Sequence, residues 1–166
     1  MNANQGRVEG LHLHAGRGEP MRVVDEVRAD AGRGIAGDRM YGLGIAGTHI
    51  TLIGAESIDA MVEATAVPLQ PSETRRNVLT RGVDLDALVG RTFRVGEVIC
   101  RGIKECTPCN HLESLTRPGV RAGLATHGGG GLRADVLQGG SIRIGDRVEV
   151  LDEAALPIGV NARPGA

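Results

Sequence analysis

The sequence predicts a mainly β protein, a barrel or sandwich of many short strands decorated by two or three short helices. Three observations point there. Turn signals built on glycine and proline recur every ~8–12 residues, the spacing of short antiparallel strands. The segments between them are rich in Val, Ile, Leu and Thr, and several alternate apolar with polar residues as half-buried strands do. Finally, 26 of the 166 residues are glycine, against one Phe, one Tyr and no Trp, while hydrophobic residues still make up 41%. Such a chain has an aliphatic core and is not a disordered polymer. Its length suits one domain of ~100–200 residues. It reads as a single mainly β domain, barrel or sandwich, over residues 1–151, followed by a C-terminal tail over 152–166.

The elements follow in order. Arg7 to His14 reads as a strand on its apolar Val8, Leu11 and Leu13, and Met21 to Val27 as its neighbour across the turn GRGEP. Ala31 to Gly47, AGRGIAGDRMYGLGIAG, is too long and irregular for a tight turn and predicts an ordered surface loop, where function tends to sit. Thr48 to Ile53 is a β-branched strand. Ala55 to Ala64 is the best helix, with Ile58, Met61 and Val62 on one face. Pro68 and Pro71 break the chain, Arg76 to Thr80 is a short strand, and Asp84 to Val89 is a helical turn ended by Gly90. Arg91 to Ile103 predicts two strands bent at Gly96. Asn110 to Leu115 is a short helix stopped by Pro118, and Arg133 to Leu151 gives three strands separated by Gly-Gly and Gly-Asp turns.

Composition excludes several functions. Nineteen basic residues balance twenty acidic ones, for a net charge of -1. A nucleic-acid binder would show a basic excess, and single-strand binding would need aromatic platforms, so neither is expected. No run approaches the ~20 apolar residues of a membrane span, and MNANQGRVEG has no secretory pattern, so the cytoplasm is the expected compartment. The cysteines Cys100, Cys106 and Cys109 are odd in number. In a chain without a signal they favour reactive or metal-binding thiols over a disulfide framework.

The sharpest chemical feature is the string CTPC, Cys106 to Cys109, between a predicted strand and a predicted helix. Helix N-terminal N–H groups lower a thiol pKa, and the thiolate is both the soft-metal ligand and the nucleophile. The plainer alternative is that one or both cysteines are buried apolar filler. Structural zinc could nominally use Cys100, Cys106, Cys109 and His111, but no second CxxC or HxxxH partner exists. A thioredoxin-type dithiol needs βαβ units, which the β-rich pattern opposes. In the string TRRN, Arg75, Arg76 and Asn77 offer forked donors and an amide edge, suited to a phosphate with a heterocycle; an ordinary solvated charge pair is the rival reading. Asp38 and Arg39 of the string GDR form a turn with a local salt bridge or contribute to a ligand site. The run Gly128 to Gly131, including Gly129 and Gly130, could bring backbone N–H groups to an anion, although it lacks the Lys-Ser/Thr ending of a P-loop. His12, His14 and His49 are scattered, and His127 stands out only for its place beside the glycines.

Taken together, TRRN, then FRVGEVICRGIKECTPCNHLE, then GGGGLRADVLQGGSIRIGDRVEVL resemble the MOSC family, named for the C-terminal domain of molybdenum cofactor sulfurases; GIAGDRMYGLGIAGTHITLI resembles its N-terminal half. The likeness runs from about Val8 to Leu151 and lies in the order and spacing of the strings. It implies a distorted β-barrel related to the one inserted in pyruvate kinase, and binding of the molybdenum cofactor, a pterin bearing a dithiolene and a phosphate. In amidoxime-reducing members a cysteine of the CxxC string coordinates molybdenum. The second cysteine falls on Cys109 and the first on Cys106, which would be a second thiol, a sulfur relay or filler. The family's Arg-x-Asn string falls on Arg75 and Asn77, with Arg76 at the variable position. Asp38, Arg39, Gly129 and Gly130 complete the expected cofactor-binding set. Reducing members carry an additional N-terminal domain, for which the few residues before the first strand leave no room. Pyridoxal phosphate belongs to the separate desulfurase domain of larger members, and the single lysine, Lys104, gives little basis for a covalent link. The expected function is sulfur transfer in metal-sulfur assembly or a small molybdenum-dependent reduction, with a sulfur-donor or electron-transfer protein as partner. The alternatives are a cofactor-free persulfide carrier and a binding barrel without chemistry.

Overall fold

The computed structural model describes residues 4–160; of the tail expected over 152–166, residues 161–166 lie outside the described residues. The chain forms β1 (Asn4–Leu13), β2 (Arg22–Val24), β3 (Glu26–Asp30), β4 (Gly34–Ile35), β5 (Ile50–Gly54) and α1 (Ala55–Thr65). It continues through β6 (Val78–Val83), β7 (Thr92–Val95), β8 (Val98–Glu105), α2 (Asn110–Leu115), α3 (Val120–His127), β9 (Leu132–Gln138), β10 (Gly140–Arg143) and β11 (Arg147–Val150). Seven strands close a mixed barrel in the order β1-β11-β7-β8-β9-β5-β6 and back to β1, with β2 extending from β1. All barrel pairs are antiparallel except β5 with β6, whose parallel alignment is bridged by α1. A second sheet, β10-β3-β4, lies beside it. The mainly β barrel with short helices is therefore the observed fold.

Aliphatic side chains fill the barrel. Leu11, Ile50, Leu52, Leu132 and Val148 are buried there around the lone Phe93, each fully buried Leu or Ile contributing ~1.5–3 kcal/mol of transfer free energy. Val8 and Leu11 both join this core although they stand three residues apart, a spacing that puts them on opposite faces of a regular strand. A register shift against β6 between Val8 and Gly10 inserts the extra residue that turns both inward. A second cluster, Ile53, Ile58, Met61, Leu79, Val120 and Leu124, packs α1 and α3 against the outside of β5 and β6.

Three elements differ from the sequence reading. The expected strand Met21 to Val27 divides at Asp25, β2 pairing with β1 and β3 with β10, so the segment passes from one sheet to the other. The strand expected from Arg76 starts only at Val78; the side chains of Arg76 and Asn77 reach instead to Gly130 and to His12 of β1. Helix α3 has no counterpart in the sequence reading. Its buried face is Val120, Gly123 and Leu124, and the glycine hides the apolar spacing. That glycine is where α1 comes closest: a Cβ there would lie 2.7 Å from Met61 Cγ.

Candidate functional site

Strand ends and loops from across the chain surround a cavity of about 310 Å³. The string TRRN supplies one wall. A 3-10 turn, Pro71–Thr74, ends at Arg75, which adopts a left-handed backbone conformation with φ 64°. A non-glycine residue held there costs roughly 1–2 kcal/mol, so the surrounding structure enforces it. Arg75 borders the cavity and donates to the carbonyl of Glu19. Burial lowers its pKa, the nearby Arg39 charge lowers it further, and Asp38 opposes both.

Arg76 is buried and ties three segments together. Its Nε donates to Gly130 O at 2.8 Å, Nη1 to Thr74 O at 2.9 Å and Nη2 to Cys106 O at 3.3 Å. Burial depresses its pKa; Arg133 adds to that, while the charges of Cys106 and Cys109 act the other way. Asn77 is equally committed. Its Oδ1 accepts from Thr51 N–H at 3.1 Å and Thr51 Oγ1 at 3.0 Å, and its Nδ2 donates to His12 O at 3.2 Å and Asp38 Oδ1 at 3.1 Å. The two lone pairs and two N–H bonds of this amide are thus engaged inside the protein. Thus the forked donors and amide edge expected to hold a ligand are, for Arg76 and Asn77, largely spent on architecture.

The CTPC string follows β8 and leads into α2, as its sequence context implied. Cys109 is the N-cap residue of α2 and is exposed, whereas Cys106 is buried, its N–H donating to Gly131 O at 2.8 Å. Both border the cavity. Cys100 lies inside the barrel, where burial above all, with Asp135 adding to it, pushes its thiol far up, so it is neither nucleophile nor ligand. Among the described residues, no group of three or more His, Cys, Asp or Glu converges in a way that could hold a metal ion.

Asp38 is buried beside the cavity. Burial acts to raise its pKa, but hydrogen bonds from the His14 ring and backbone, the His14 charge and the Met40 N–H together hold it below the usual carboxylate range. Arg39 borders the cavity directly. Two residues further on, Tyr41 donates to Asp30 Oδ2 at 2.6 Å and lies under the Arg33 guanidinium. Gly129 and Gly130 do not border the cavity. Gly129 N–H caps α3 on Leu124 O at 2.6 Å, and Gly130 lies behind Arg76. A Cβ at Gly130 would stand 2.0 Å from Cys106 O and 2.6 Å from Pro108 Cδ, so the glycine run clamps the cysteine loop in place. Lys104 is exposed on β8 and lies outside the cavity.

The fold adds lining residues outside the expected cofactor-binding set: His14, Arg17, Met40, His111 and Arg133. They arrive from the residue after β1, the turn that follows, the glycine-rich loop, α2 and β9, and only the closed barrel brings them together. The cavity is consequently bordered by five arginines (Arg17, Arg39, Arg75, Arg76 and Arg133), two thiols and no carboxylate. A larger groove of about 590 Å³ runs along Gly54, Glu56, Arg81 and Asp84, but it has no thiol, and Arg81 is paired with Glu9 and Asp59.

The cleft of this small barrel gathers arginines, which can meet an anion, around a free thiol, which is a soft donor. The chain belongs to the MOSC domain family, whose model matches residues 38–149, a family associated with molybdenum cofactor binding and sulfurase-like function. Similar solved structures are the YuaD protein from Bacillus subtilis, at 21% identity and TM-score 0.75 over 88% of this chain and 95% of that one, and YiiM from Geobacillus stearothermophilus, at 15% identity and TM-score 0.70 over 90% and 77%. YiiM from Escherichia coli aligns at 16% identity and TM-score 0.63, over 89% of this chain and 70% of that one. At these identities the likeness is one of fold. No curated protein matches the chain. No helix among the described residues is long and apolar enough to cross a membrane.

Proposed function

We propose that this cavity binds the molybdenum–pterin cofactor, with Cys109 as the protein thiolate to the metal, and that the protein serves sulfur transfer in metal-sulfur assembly or reduction of small N-hydroxylated compounds. One observation carries the reading: five arginines and an exposed cysteine share a cavity without a lining carboxylate. Guanidiniums crowded where no carboxylate lines the cavity call for an anion, and their forked donors suit phosphate. The thiolate is the soft donor such a metal takes. The residues present therefore fit the group. Arg75, Arg39 and Arg17 are the counter-charges for its phosphate, Arg76 and Asn77 fix the loop that carries Arg75, and Asp38 is a buried support. When bound, the cofactor supplies two-electron and sulfur chemistry at the metal. The chain's own part is to hold it, exclude water from its inner side and present Cys109. A redox partner or sulfur-donor protein completes the system, and free thiols suit the reducing cytoplasm.

The test is metal analysis and oxidised-pterin fluorescence on protein made in a cofactor-producing host. The expected result is near-stoichiometric molybdenum and pterin, both lost in Cys109→Ser; traces of metal indifferent to that change would refute the reading.

A second reading rests on the two thiols beside Arg76: a persulfide carrier without cofactor. Cys109 thiolate attacks the outer sulfur of a donor persulfide, the donor's S–S bond breaks, and the donor leaves as thiolate while Cys109 keeps the sulfur. Intact mass would show one added sulfur, removed by reductant and absent from Cys109→Ala.

A further inference from the structure

His14 is the cavity residue for which the fold builds an orienting partner. Its ring Nδ1 lies 2.9 Å from Asp38 Oδ1, and its backbone N–H donates to the same oxygen at 2.7 Å. Asn77 Nδ2 donates to that same oxygen at 3.1 Å, and Met40 N–H donates to Oδ2 at 3.0 Å. This accounts for the commitment of Asn77 inward: it holds Asp38, and Asp38 holds His14. A carboxylate that accepts from Nδ1–H assigns the tautomer and leaves Nε2 as the ring nitrogen for a ligand of the cavity His14 borders. Every guanidinium there is a pure donor that keeps its proton at neutral pH. His111 is the other cavity imidazole, but it is exposed and no carboxylate accepts from it among the described residues.

We propose that His14 and Asp38 form a proton-transfer dyad serving a small ligand whose oxygen the neighbouring arginines hold. The proposal rests on reading the cavity as a cofactor and substrate site. When it carries a proton on both nitrogens, the ring gives the Nε2 proton to the ligand oxygen, the N–H bonding pair stays on the ring, and the Nδ1–H tautomer is left. Nδ1–H remains on Asp38, which takes no proton itself. Water at the cavity mouth restores the proton to Nε2. No other bond is made or broken by the pair.

The test has two arms on the full chain. In the first, nitrogen–proton spectra of the histidine rings of cofactor-free protein are recorded during titration with inorganic phosphate, with His14→Gln assigning the signals. The Nδ1–H tautomer is expected for His14, redistributed in Asp38→Asn. Phosphate is expected to move the His14 Nε2 signal and leave that of exposed His127 in place. In the second, cofactor-loaded protein reduces a small N-hydroxylated compound with a chemical reductant. His14→Gln is expected to lower kcat about 100-fold or more at unchanged molybdenum and pterin content. His14→Ala is expected to regain activity on adding imidazole, which a packing role would not allow. The opposite tautomer, an Nε2 signal indifferent to phosphate, or wild-type turnover in His14→Gln would overturn the dyad. Wild-type protein without molybdenum or pterin would refute the cofactor reading instead, and the first arm would still decide the dyad.

Discussion

At the scale of single residues, the site stands on side chains turned inward. His12 is buried, its Nδ1 donating to Arg76 O at 3.0 Å, and burial holds its pKa below the ordinary histidine value against that hydrogen bond. The unfolded chain therefore takes up this proton first as pH falls through about 6.5, and stability declines with it. Asp38 is shifted the same way for a different reason, hydrogen bonds and the His14 charge favouring its ionised form against burial. Its lowered pKa contributes stability above about pH 4 that is lost as pH falls through the folded-state value. Urea midpoints of the wild type are expected to fall between pH 7 and pH 5. His12→Asn, which keeps a donor for the Arg76 carbonyl, should flatten that range. The steeper fall below about pH 4 should persist until Asp38→Asn is added.

At the scale of elements, the cysteine loop is shaped from beneath. Gly130 lets the loop lie on the Arg76 guanidinium, and any Cβ there meets the Cys106 carbonyl. Gly130→Ala is expected to cost more than about 2 kcal/mol, in the range of overpacking. It should also reduce molybdenum retention although Cys109 is untouched. A thermal melt and metal analysis on the same preparation check both. This dependence was invisible in the sequence, where GGGG reads as an anion cradle. The strand–CTPC–helix order was legible because β8 and α2 are local and their punctuation is strong. Arg75, picked out in the sequence for its charge, does border the cavity; the inward commitment of Arg76 and Asn77 was not legible, since their partners lie up to 65 positions away. His14 looked like one scattered histidine among several because Asp38, its partner, follows 24 residues later across a sheet. Helix α3 escaped for a local reason: its interface uses a glycine where a periodic pattern expects a large apolar residue.

At the scale of the whole molecule, β1 joins the first and last parts of the barrel. Its residues Gln5 to Arg7 pair with Glu149 to Arg147 of β11, and further along the strand pairs with β2, while β6 runs along its other edge. The cavity takes residues from His14 to Arg133, so barrel closure and site assembly are one event. Val148 is fully buried between Gly6 and Val95. Val148→Asp would place an unpaired charge in that core and is expected to remove more than about 4 kcal/mol. Backbone circular dichroism should show one transition in the wild type and a lost or strongly shifted one in the variant.

The scarcity of aromatic rings has an optical consequence. With no Trp and a single Tyr, the protein is nearly dark where proteins usually absorb and emit, so a bound chromophore would be read against an empty background. The lone reporter is well placed. Tyr41, fastened to Asp30, stands in the glycine-rich loop that also carries Asp38 and Arg39. Its near-ultraviolet signal is a private gauge of that loop, able to register a ligand's arrival without any introduced label.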